Sequence, residues 1–325
     1  MKRSLSGIQP SGTLHIGNYF GAIKQFIENQ NNYDGFYFVA DYHALTSSPD
    51  PAALKKNTYD VILDYMALGL DPAISTIFLQ SDVPEVTELS WILSNVTPVA
   101  LLERAHSYKD KIAKGISPNQ GLFFYPVLMA SDILIYDSDV VPVGSDQKQH
   151  VEITRDIAIK FNAIYGDIFK IPEEIIKESV AIVPGTDGNK MSKTYQNTIE
   201  MFSSKKAIRK QIMQIVTDST PLEDPKDYEN CNVVSLYKLF ANESELNAMY
   251  NNYKNGNYGY GHAKNELLSV LMEYFAPYRA KREELLNNMD YVDATLRKGA
   301  EKARGVAINK MKQVKEAIGL VGNIY

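Results

Sequence analysis

Over its first two-thirds the chain alternates short apolar runs with longer stretches whose apolar residues recur at helical spacing, and this alternation admits few folds. Parallel strands need a crossover of a dozen or more residues between them, so a strand–helix–strand repeat specifies a parallel sheet wrapped by helices. The strand runs are residues 3–8, 36–40, 76–79, 140–143 and 180–183. Asp50-Pro51 predicts a capped helix start with Pro at its first position, and Gly69 predicts the stop. Asp82-x-x-Glu85 predicts a capping box ahead of a helix carrying Trp91, Ile92 and Leu93. After about Ser203 the strands cease. Residues 205–216, 232–239, 262–278 and 296–318 read as helices, and the Asn-, Gly- and Tyr-rich stretch 251–261 reads as a loop. In the last helix Leu296, Ala300, Ala303, Ala307, Met311, Val314 and Ile318 form one apolar stripe, with Gly319 as the stop. The expected organisation is an α/β domain over residues 1–203 and an all-helical domain over 204–325, whose last helix is free to pack back on the first domain.

Composition narrows the class. With 45% apolar and 22% charged residues the chain reads as an ordinary globular protein, and no apolar run approaches the roughly 20 residues that span a bilayer. The opening MKRSLSGIQP places a Gly and a Pro where a leader would need a continuous apolar segment, so a cytoplasmic location is expected. The single cysteine, Cys231, excludes an internal disulfide framework and a multi-cysteine zinc site. A net charge of −5 does not announce a nucleic-acid partner. Its distribution is more informative. Residues 296–325 carry Arg297, Lys298, Lys302, Arg304, Lys310, Lys312 and Lys315 against Glu301 and Glu316, and a second cluster is Lys205, Lys206, Arg209 and Lys210. Such faces neutralise phosphates, or they are solvated helix surface; both readings stand.

Two loops carry the chemistry. The first strand runs into Gly7-Ile8-Gln9-Pro10-Ser11-Gly12-Thr13-Leu14-His15-Ile16-Gly17-Asn18, after which Ile16, Phe20, Ile23 and Ile27 recur at helical spacing. Its glycines permit a sharp turn and close approach of a ligand, and a helix start directs free N–H groups and partial positive charge at phosphate. Such a loop lies where open α/β sheets bind ligands, and His15 can donate to phosphate oxygens as charge shifts. Far downstream stands Pro184-Gly185-Thr186-Asp187-Gly188-Asn189-Lys190-Met191-Ser192-Lys193-Thr194. Two mobile ammonium groups there can close over a departing pyrophosphate.

A third constellation is an apolar helix over residues 121–137 with one acid, Asp132. Tyr125, Met129 and Asp132 stand at i, i+4 and i+7, on one face. Buried without a partner, that carboxylate costs several kcal/mol, about 3–5 where a partner is removed, so it demands a donor. An indole N–H is such a donor, and Met and Tyr pack well around a flat ring.

His15-Ile16-Gly17-Asn18 resembles the HIGH signature of the class I aminoacyl-tRNA synthetases, and Lys190-Met191-Ser192-Lys193-Thr194 resembles their KMSKS motif with Thr for the last Ser. The GIQPSG prefix and the terminal Asn resemble the bacterial tryptophanyl branch, and the likeness extends over essentially the whole chain. It implies a Rossmann-like catalytic domain and a helical domain that reads the tRNA anticodon. The implied activity is joining of L-tryptophan to tRNA(Trp) with Mg²⁺-ATP through tryptophanyl-adenylate, in a homodimer. By the same likeness His15, Asn18, Lys111, Lys190 and Lys193 are the catalytic set. ATP falls to Gln9, Pro10, Ser11, Gly17, Asn18, Gly144, Ser145, Asp146, Ile182, Val183 and residues 190–194 (Lys190, Met191, Ser192, Lys193, Thr194). Tryptophan falls to Asp132, Tyr125, Met129, His43, Val141, Val143 and Gln147. Ser145 stands where the family usually has Glu, at the ribose site, and Tyr42 stands where it has Gln or Leu, at the rim. Three rivals remain: a tyrosyl relative of shared fold, a nucleotidyltransferase with an HxGH-type loop, and a catalytically dead paralogue serving as an RNA-binding module. The first should lack GIQPSG together with the Asp132 helix, the second the KMSKS partner, and the third His15, Lys190 or Lys193.

Overall fold

The computed structural model describes residues 1–47, 49–105, 108–109, 119–144, 147–175 and 183–321. Among them five parallel strands form one sheet: β1 (Arg3–Ile8), β2 (Asp34–Val39), β3 (Thr76–Leu79), β4 (Val140–Pro142) and β5 (Glu173–Ile175), in the order β3-β2-β1-β4-β5. Residues 35–39 of β2 are buried without a break, the mark of a strand covered on both faces. β1 pairs with β2 along its length, from Arg3 opposite Asp34 to Ile8 opposite Val39. Its pairing with β4 is registered only at Ser4 opposite Val140. Beyond that point the Ser6 hydroxyl donates to the Pro142 carbonyl at 3.0 Å. The strand order changes direction between β1 and β4, so the switch point where sheets of this kind take ligands lies beyond the carboxyl ends of these two strands, after Ile8 and Pro142. The expected strand at 180–183 falls largely outside the described residues. β5 was not foreseen, being three residues long with two glutamates.

Helix ends follow local chemistry, with one correction. In α1 (Pro51–Leu68) Asp50 accepts from the Ala53 N–H at 2.9 Å, and Gly69 ends the helix at φ 111°. In α2 (Glu85–Ser94) the cap is Pro84, and the expected Asp82–Glu85 box does not form. Glu85 is buried and gives its carboxylate to Arg304 at 2.8 Å, an interaction invisible to a local motif. Next come α3 (Gln120–Leu134), opened by Asn119 accepting from Leu122 N–H, and α4 (Lys148–Tyr165).

The chain compacts into two units. One comprises residues 14–25 and 178–284, and holds α5 (Lys205–Met213), α6 (Glu243–Asn255) and nearly all of α7 (Tyr260–Leu286). Most of the expected loop 251–261 is the last turn of α6 and the first of α7. A capping box between Asn242 and Glu245 and the buried Met249 and Tyr253 outweigh the low helix propensity of the asparagines. An aromatic cluster of Tyr19, Phe20, Phe240, Tyr274 and Phe275, with Tyr19 and Tyr274 hydroxyls 2.9 Å apart, packs the segment after His15.

The other unit comprises residues 1–13, 26–177 and 285–325: the sheet together with the final helix α8 (Met289–Ala317). The α8 stripe is real, with Ala303, Ala307, Met311 and Val314 fully buried. Gly299 lies so close to β3 that an added Cβ would sit 1.9 Å from the Ile77 carbonyl oxygen. α8 thereby covers the otherwise open edge strand. Its cations are largely spent within this unit. Lys302 pairs with Asp34, Arg304 with Glu85, Lys310 with Asp137 and Lys315 with Glu88, at 2.6–3.1 Å. Four of the seven basic residues, for which the sequence left a phosphate-facing and a solvated face equally open, are therefore tethers that hold the helix down.

Candidate active site

In the sheet unit the helix face read from sequence converges on Asp132, which is 2% exposed. His43 Nε2 lies 2.8 Å from its Oδ2, and Gln80 Nε2 donates to Oδ1 at 2.8 Å and to Oδ2 at 2.9 Å. A carboxylate facing Nε2 fixes the histidine proton on that nitrogen. Gln80 Oε1 in turn accepts the backbone N–H groups of Tyr42 at 3.1 Å and His43 at 3.4 Å. Tyr42 thus serves the rim through its main chain. Burial pushes the Asp132 carboxyl above the usual range, and the bonds from His43 and Gln80 offset part of that. A carboxylate offers about four lone-pair positions, so these three contacts leave room for one further donor.

Tyr125 hydrogen-bonds through its hydroxyl to His150 Nε2, tying α3 to α4. His150 stands one turn beyond Gln147, whose N–H donates to Gly144 at the entrance of α4. Val141 is buried in β4, while Val143 and Met129 are half-buried against the same core. Gln80 and His150 escaped the sequence reading. Gln80 follows β3 at its C-terminal end, on the rim shared with residues after β1 and β2, and the strand-end rule alone could have flagged it.

The glycines of the first loop have three separate tasks. An added Cβ on Gly7 would meet the Phe38 ring at 2.6 Å, so Gly7 serves sheet packing rather than the turn. Gly12 holds φ 115°, the left-handed region that favours glycine. Ser11 N–H donates to Gln9 O at 2.9 Å within this turn, leaving Gln9 and Ser11 exposed and Pro10 buried. Gly17 makes room for the His15 imidazole, whose Nδ1 would be 2.9 Å from an added Cβ, and for Met191, 3.3 Å away.

Through Gly17 the second unit brings the two signature motifs together. His15 is buried, its Nδ1 has no partner among the described residues, and burial followed by the nearby Lys193 charge pulls its pKa down to about 4. The imidazole is therefore neutral at ordinary pH. Asn18 Oδ1 accepts the His15 N–H at 3.1 Å and closes the turn. The backbone is fastened by Ile16 N–H to Ile199 O at 3.0 Å and by a bridge between His15 and Glu200.

The lysine loop is organised by Asn197, a residue sequence reasoning passed over. Its Nδ2 donates to Asp187 Oδ1 at 2.7 Å and to the Lys190 carbonyl at 3.2 Å, while its Oδ1 accepts the Ser192 N–H at 2.8 Å. Met191 N–H donates to Val183 O, and Ser192 Oγ caps the turn by accepting from Thr194 N–H at 3.3 Å. Met191 is buried as the anchor, Lys190 is exposed and Lys193 half-exposed. Lys111, Ser145, Asp146 and Ile182 lie outside the described residues.

Comparison with known proteins places this geometry. The family model for "tRNA synthetases class I (W and Y)" matches residues 2–276. A tryptophan–tRNA ligase of Fusobacterium nucleatum is 65% identical over 326 residues, spanning 100% of both chains. One from Campylobacter jejuni is 55% identical, covering 98% of this chain and 100% of the relative. Among solved structures, the Campylobacter jejuni tryptophanyl-tRNA synthetase complexed with ADP and tryptophan superposes with a TM-score of 0.94 at 55% identity, over 98% of this chain and 100% of that one. The Mycoplasma pneumoniae enzyme gives 0.83 at 31% identity, over 99% and 98%.

Proposed function

The chain belongs to the bacterial tryptophan–tRNA ligases, class I aminoacyl-tRNA synthetases, and we propose that it activates L-tryptophan with ATP and transfers it to tRNA(Trp). The observation that carries the substrate assignment is the buried Asp132 carboxylate, clamped by Gln80 and His43 with a lone-pair position to spare. The indole N–H takes that position, with Tyr125, Met129, Val141, Val143 and Gln147 around the ring.

In the first step the tryptophan carboxylate attacks the α-phosphorus in line and the bond to the bridging oxygen breaks, giving tryptophanyl-adenylate and pyrophosphate. The nucleophile is already ionised, so no protein base is required, and catalysis is positioning with charge stabilisation. Neutral His15 donates to phosphate oxygens without repelling Lys193, and Lys190 and Lys193 neutralise the leaving pyrophosphate. Gln9, Pro10, Ser11, Gly17, Asn18, Gly144 and Val183 contribute the remaining ATP contacts among the described residues. Mg²⁺ enters as part of the substrate, chelated by phosphate oxygens and water. In the second step the 2′-hydroxyl of the terminal adenosine attacks the carbonyl carbon, AMP leaves, and the hydroxyl proton passes to its phosphate. No described helix is long and apolar enough to cross a membrane, and the reading includes a cytoplasmic location. It also includes a homodimer, since Trp91 and Val99 are 72% and 62% exposed beside the half-buried Ile92 and Leu101.

Amino-acid-dependent ATP–pyrophosphate exchange across all twenty amino acids tests the reaction. Exchange with tryptophan alone is expected; exchange with tyrosine instead overturns the reading.

A further inference from the structure

We propose that the exposed face of α5 is the docking surface for the phosphate backbone at the acceptor end of tRNA, an inference that rests on the tRNA ligase reading above. Lys205, Lys206, Arg209 and Lys210 stand within six residues, all exposed, and residues 203–214 contain no acid. Ile208 and Ile212 are fully buried on the opposite face, which fixes the cations outward. None of the four has an ion pair among the described residues, in contrast with the tethered cations of α8. In a chain of net charge −5, four unpaired cations on one short helix attract a polyanion rather than another protein surface of mixed charge.

The attachment of α5 selects the acceptor end. Gln211 Oε1 accepts the Glu200 N–H at 3.0 Å, and Glu200 is the residue bridged to His15. Arg279, on α7, fixes the same connection by donating to the carbonyls of Met201 at 2.6 Å and Ser203 at 2.8 Å. Lys210 adjoins Gln211, and Lys205 lies five residues away, about 8 Å along the axis. The cation face is thus mounted on the segment that positions His15. The only part of tRNA that must come close to the reacting phosphate is the end carrying the terminal adenosine.

The test replaces Lys205, Lys206, Arg209 and Lys210 together by Ala. It measures binding of a tRNA(Trp) transcript by fluorescence anisotropy across salt concentrations, alongside tryptophan-dependent exchange, which needs no tRNA. Expected are affinity at least about tenfold weaker and a slope of log K against log salt shallower by about 3, with exchange unchanged and Arg209→Lys keeping the slope. Phosphates carry no sequence, so a noncognate tRNA should weaken equally. Should the quadruple variant lose exchange, Lys206→Glu repeats the measurement with one surface change. Affinity within twofold of the parent at an unchanged slope overturns the proposal and leaves the face to an acidic protein or to solvent. Absence of tryptophan-dependent exchange in the parent would strike the functional reading instead, and the binding arm would still decide this one.

Discussion

Asp132 sits where a carboxylate is least comfortable, and Gln80 makes the position tenable by spending both ends of its amide: two donations to Asp132, two acceptances from the turn that carries His43. The carboxylate and the histidine are thereby referenced to one another through a single side chain, which fixes their mutual geometry. His15 presents the complementary problem. Its lowered pKa means that the unfolded chain binds a proton between about pH 6.5 and pH 4 that the folded chain refuses, so stability falls as pH drops through that window. Between pH 6.5 and pH 4.5 His15→Asn should lose less stability than the parent, by about 2 kcal/mol. Urea unfolding at pH 6.5 and pH 4.5 checks this, and parallel losses in the two proteins would contradict it. Asp132 was legible because a lone acid on an apolar helix is conspicuous. Gln80 was not, because an uncharged amide after a strand breaks no pattern.

At the level of elements, the lysine loop is fastened at its base by one side chain and presents its lysines toward the surface. Asn197 binds it at three points while Lys190 remains exposed. Asn197→Ala leaves the half-buried Ser192 N–H without its side-chain acceptor, about 1–3 kcal/mol of local organisation, and takes one donor from the Asp187 carboxylate. The single-turnover rate of adenylate formation should fall at least about tenfold with tryptophan affinity unchanged; an unaltered rate would show that the loop needs no such anchor. The seam of α8 and the caps of α1 were readable because periodicity and capping are local. The box at Asp82 was misread because Glu85 answers to Arg304, more than two hundred residues away, and β5 was hidden because its pairing with β4 rather than its own residues makes it a strand.

For the whole molecule, the division into compact units is the least legible feature. The line drawn at residue 203 follows where strands stop, whereas the chain compacts by contacts that return residues 285–325 to the sheet and separate His15 from the strand before it. Net charge misleads at this scale too, since four of the seven basic residues of α8 pair with buried or half-buried acids while α5 keeps a compact set exposed. The exposed Trp91 bears on assembly: light scattering at low micromolar concentration should give a dimer for the parent and a monomer for Trp91→Glu. A parent monomer with full activity would dispose of the dimer.

The central claim is that Asp132 recognises the indole N–H, and it is tested most directly by the ratio of exchange kcat/KM for tryptophan over an analogue with sulfur in place of the ring N–H. The parent should discriminate by a factor of at least about 10³, because a buried acceptor is left unpaired by the analogue, and Asp132→Ala should reduce that ratio to within about tenfold of unity. An undiminished ratio in Asp132→Ala would contradict the account.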